Sequence, residues 1–101
     1  GTLMFADGTS GSASYQAEIS YYHNSNAMAF TTNGGSEAMR LDSSGRVLIA
    51  KSASNFANVG IELRENGEIV VTRSGGDVIT TRRLVSEGTH FSLTILLPTI
   101  A

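Results

Sequence analysis

The chain has 101 residues, 41% of them hydrophobic and 16% charged, with a net charge of −2. That balance excludes a disordered chain and gives no basic surface for nucleic acid. With no cysteine, disulfides and thiolate zinc sites are excluded as well.

The first elements are short. Leu3 to Phe5 reads as a strand, followed by a Gly, Ser, Thr and Ala loop around Asp7-Gly8. Ala17 to His23 alternates, with Ile19 and Tyr21 on one face. Asn24-Ser25-Asn26 has turn chemistry. Ala27 to Thr32 returns with Met28 and Phe30 on one face and Ala27 and Ala29 on the other, which predicts a hairpin. Asn33-Gly34-Gly35 is the next turn, and Glu37 to Asp42 again reads as a strand, with Met39 and Leu41 sharing a face.

A turn-and-strand unit then occurs twice, 22 residues apart, as Leu41–Ser52 and Leu63–Ser74. Each copy runs apolar residue, three polar residues, Gly, charged residue, three β-formers, small residue, base, Ser. Gly45 and Gly67 stand where a tight turn needs positive φ. Val47-Leu48-Ile49 and Ile69-Val70-Val71 read as short strands. Lys51 to Asn58 is polar and small around Phe56, and predicts a linker over 53–58 between a first module, 1–52, and a second, 59–101. Gly75 marks another turn, leading into a strand over Val78 to Thr81. Leu84-Val85-Ser86-Glu87-Gly88 is a weaker third echo, with Gly88 turning the chain toward Phe91–Leu97. Turn signals every ten residues or so predict an all-β chain with little helix.

Such strands bury little alone and leave open edges. One solution closes them into a monomeric sandwich or barrel. The other intertwines identical chains. The continuous runs Val47–Ile49 and Ile69–Val71 ask for cover on both faces, and aromatic content of 7% is too thin to seed one compact core. Both features favour the second, with Val47, Ile49, Ile69 and Val71 as the core between chains.

Ile19 to Gly34, continuing through Glu37 to Ile49, resembles a motif of bacteriophage tail fibre and tailspike proteins. There it reads roughly I-x-Y-x-H-x-x-N-x-M-x-F-x-T-N, then E-x-M-R-I-D-S-S-G-N-V-x-I-G. The module often precedes an intramolecular chaperone domain of the endosialidase type. The resemblance covers about residues 17–52, and Gly60 to Gly76 is similar to a second shaft unit. It implies an elongated, intertwined homotrimeric β-shaft of the triple-stranded β-helix or β-prism type. It also implies a place in the virion, exposed outside the host cell, in the host-attachment apparatus and joined to other tail fibre segments. Ser92 to Ala101 departs from the pattern, since no polar turn with Gly follows, and a truncated or frame-shifted end is one reading of it.

Candidate sites are few. His23 beside Asn24 reads as a strand end rather than a ligand, and His90 has no partner at metal spacing. The acids are scattered, with no pair singled out for glycoside hydrolysis. No phosphate-binding loop and no nucleophile elbow occurs. No apolar run reaches the roughly 18 residues of a membrane-spanning helix. The N-terminus has no signal-peptide pattern and reads as an interior stretch. Neither enzyme chemistry nor a cofactor is expected. Tyr15, Tyr21, Tyr22 and Asn24 are the candidates for contact with a bacterial surface glycan, and Gly34, Gly45, Gly67, Gly75 and Gly88 are structural turns. The readings that follow are a structural fibre segment, a glycan-binding module, and a part of a polysaccharide-degrading tailspike.

Overall fold

A computed structural model describes residues 1–82. The third echo, Gly88, His90, the strand expected over 91–97 and the atypical stretch 92–101 lie outside the described residues.

The described chain is a single antiparallel sheet of seven strands, β1 to β7, in which every strand pairs with its neighbour in sequence. The strands are β1 (Thr2–Phe5), β2 (Ala17–Tyr22), β3 (Ala27–Thr32), β4 (Ser36–Leu41), β5 (Val47–Ile49), β6 (Gly60–Leu63) and β7 (Ile69–Thr72). A short 3-10 helix, Gly11–Tyr15, stands in the stretch expected to be loop before β2. Its 310 turn is local: Ser14 Oγ donates to Gly11 O at 2.7 Å and Gln16 Nε2 to Ser12 O at 2.7 Å. The strand expected over Val78–Thr81 is absent: the chain bends at Val78, these residues pair with no strand among the described residues, and Val78 and Ile79 are exposed. Four β-prone residues make a strand only where another strand takes up their hydrogen bonds, and among the described residues none does.

The two repeat turns have the same geometry. Asp42 N donates to Arg46 O at 3.0 Å and Gly45 N to Asp42 O at 3.0 Å. In the second copy Arg64 N donates to Glu68 O at 2.9 Å and Gly67 N to Arg64 O at 3.0 Å. Gly45 has φ 87° and Gly67 φ 90°. A three-residue hairpin loop of this kind ends on a left-handed residue that bulges the strand, a conformation Gly takes without steric penalty. The side chains reinforce each turn differently. The Asp42 carboxylate accepts from Ser44 N and Arg46 N, each at 3.0 Å, while Asn66 Oδ1 accepts from Glu68 N at 3.0 Å.

Because side chains alternate along a strand, the register sorts them into two faces. On one face Leu3, Ile19, Phe30, Met39, Ile49, Ile61 and Val71 are successive partners across all seven strands. Beside them runs a second apolar row, Tyr21, Met28, Leu41, Val47, Leu63 and Ile69. On the other face the row reads Thr2, Ser20, Ala29, Arg40, Leu48, Glu62 and Val70. A bulge at Ala38 turns Glu37 onto this second face, where it pairs with Arg40 at 2.6 Å.

The buried residues all lie on the mixed face or in the loop that covers it: Ser20, Ala27, Ala29, Thr31, Leu48, Lys51, Gly60, Glu62 and Val70. The apolar face is the open one. Ile49 is 37% exposed and Ile69 68% exposed, and Leu3, Phe5, Tyr21, Met28, Leu41 and Leu63 are exposed with them. Among the described residues no second layer covers it.

Candidate functional site

Two features of the sheet carry physical consequence: the strap over the mixed face, and the bare apolar face behind it.

The strap is the 50–59 connection. The boundary expected at 53–58 falls inside one continuous sheet, since β5 and β6 on either side of it pair directly. Ala50, with φ 63°, turns the chain out of β5. The following residues fold back across β5, β6 and β7, and Thr72 Oγ1 donates to Phe56 O at 3.2 Å. Beneath them sit Leu48 and Glu62, both 0% exposed.

Glu62 is the hub of this loop. Its carboxylate accepts from Lys51 Nζ at 2.6 Å, Ser54 Oγ at 2.7 Å, Asn55 N at 2.9 Å and Arg64 Nε at 3.1 Å. Lys51 is almost equally hidden, and its ammonium also donates to Asn55 O at 2.7 Å and Asn58 O at 3.4 Å. Its stem passes over Gly60, where an added Cβ would lie 2.6 Å from Ile49 O and 2.9 Å from Lys51 Cδ. Gly60 also has φ 142°, so this close approach admits no side chain. Burial pushes the Glu62 carboxyl up, but the donors from Lys51, Ser54, Asn55 and Arg64 outweigh it and hold it at about 2. Arg46 extends the network, reaching Ser54 Oγ at 2.6 Å and pairing with Glu65 at 2.7 Å, while Arg64 lies over the Phe56 ring at 4.3 Å. Every charged group in the cluster has an opposite partner. It holds a loop in place.

The glycan candidates do not converge. Tyr21 faces the apolar side beside Met28, and its hydroxyl donates to Asn26 Oδ1 at 2.9 Å. Tyr22, the next residue, points to the opposite face under the Arg40 guanidinium, 5.2 Å from the ring centre. Tyr15 ends the 3-10 helix before β2, whereas Asn24 follows β2, so the length of the strand separates them. Among the described residues no three His, Cys, Asp or Glu side chains gather where a metal ion could sit.

The expected core residues Val47, Ile49, Ile69 and Val71 share the apolar face, and lie together at its β5 and β7 end. Leu48 and Val70, between them in sequence, turn to the opposite face and are covered by the strap. The two faces of these runs therefore meet different neighbours. One is closed by the chain itself, the other by nothing among the described residues.

Comparisons with protein-family models, with curated proteins and with solved structures return no match for this chain.

Proposed function

We propose that the chain is a structural segment of a bacteriophage tail fibre or tailspike, assembling as a homotrimer and serving host attachment from the virion's tail. The observation that carries the assembly is the bare apolar face. A sheet with one hydrophobic face needs a second layer to bury it. Covering a large apolar side chain fully contributes about 1.5–3 kcal/mol, and thirteen such residues stand in the two rows across the strands. The apolar band runs across the strands and is only two rows wide, so three copies meeting along its length enclose it as a prism. Their mixed faces, covered by the strap over β5 to β7, turn outward. The resemblance of residues 17–52 to fibre shafts supports the same arrangement and supplies the tail. A structural role, rather than turnover, fits a charge cluster that is satisfied internally.

Two measurements test this. The chain has no cysteine of its own, so single thiols report cleanly. Under native conditions Ile49→Cys should resist thiol reagents while Phe56→Cys, on the strap, reacts; equal rates would remove the shared core. Antibody against the chain should decorate the tail of phage particles that carry it, and decoration elsewhere would remove the fibre.

A further inference from the structure

Rotation about an axis leaves height along it unchanged. In the three-fold arrangement proposed above, on which this inference rests, the axis follows the sheet from β1 to β7. Each strand then lies level with the same strand in its neighbours, and the turn end of a strand faces the loop end of that strand in the next copy.

β7 is suited to this. It is flanked by Glu68 at its turn end and Arg73 at its loop end, and among the described residues no other strand is flanked by two charged side chains. Glu68 is 45% exposed; it accepts from Arg64 Nη1 at 3.0 Å through Oε1 alone. Arg73 is exposed, donates from Nη1 to Asp77 O at 2.8 Å, and pairs with no acid among the described residues. The four residues of β7 lie between them, five steps of extended strand or about 16 Å within one chain, so they cannot meet there.

We propose that Glu68 of one copy pairs with Arg73 of the next. The contact repeats at all three corners and joins a turn to a loop of a second copy of this chain. It is heterologous, so it favours closure into a ring over a face-to-face pair. It also selects the parallel, in-register arrangement, because any shift along the axis separates the two charges.

Charge reversal tests the pair on the full chain by sedimentation equilibrium. Glu68→Arg and Arg73→Glu should each weaken trimer formation roughly ten- to a hundred-fold, since exposed pairs are weak singly but recur three times. The double variant Glu68→Arg/Arg73→Glu should return to within about three-fold of the parent by the same reasoning. Loss of the Arg64 contact alone would weaken Glu68→Arg but would not be repaired by the second change. A trimer whose double variant stays as weak as the single ones overturns the pair and leaves the three-fold reading standing. A parent that is no trimer overturns both.

Discussion

The Glu62 cluster makes an asymmetric prediction. Replacing Glu62 by Leu removes the one carboxylate that joins Lys51 Nζ, Ser54 Oγ, Asn55 N and Arg64 Nε. The Lys51 side chain, 2% exposed, then keeps only two carbonyl partners around a buried ammonium. Breaking a buried ion pair from one side costs about 3–5 kcal/mol. Lys51→Met is expected to cost about half of that, because Glu62 retains three donors and Met fills the channel left by the lysine stem. The double variant Lys51→Met/Glu62→Leu leaves no unpaired charge from the pair itself, and should recover at least about 2 kcal/mol relative to Glu62→Leu. Urea unfolding of all four proteins at one fixed concentration measures this as a thermodynamic cycle. Equal costs for the two single variants, or strict additivity in the double, would refute the view that Glu62 organises the strap.

Four further outcomes follow from the same structure. Ile49→Asp places a charge on the apolar face, so gel filtration should show assembly abolished; a variant that elutes with the parent would move the shared core elsewhere. Gly67→Ala puts a Cβ on a residue with φ 90° in open space, and should lower stability by about 1 kcal/mol per chain in thermal melts. Gly60→Ala should cost more, because its Cβ also meets backbone; a smaller effect than at Gly67 would contradict that close approach. For pH, the Glu62 carboxyl is lowered from 4.5 to about 2 in the folded chain. A depressed acid contributes stability that is complete above its unfolded value and lost as pH falls through the folded one. Denaturation midpoints of the parent should therefore fall between pH 5 and 2 more steeply than those of Glu62→Leu, compared by acid titration.

The repeat was legible because its chemistry is local. A polar trio, a Gly and a β-branched run specify turn and strand within twelve residues, and Leu41–Ser52 and Leu63–Ser74 fold alike at their turns. The face assignments of β2, β3 and β4 follow from alternation alone. The strap was not legible. Lys and Glu are ordinarily exposed, and Lys51 and Glu62 become neighbours only when β5 pairs with β6. Without that pairing the stretch between them reads as a polar linker. The 3-10 helix at Gly11–Tyr15 carries no apolar period, and Val78–Thr81 shows the converse error: strand propensity with no strand beside it. Tyr21 and Tyr22 look like a cluster in sequence, yet adjacency in a strand is what sends them to opposite faces.

The most direct test of the central claim is the mass of the chain in solution. Sedimentation equilibrium at low micromolar concentration should give a single species of three chains, each of 10.6 kDa, with no folded species at the mass of one. A cooperatively folded monomer would contradict the account, because its apolar face would then have to be closed from within the chain.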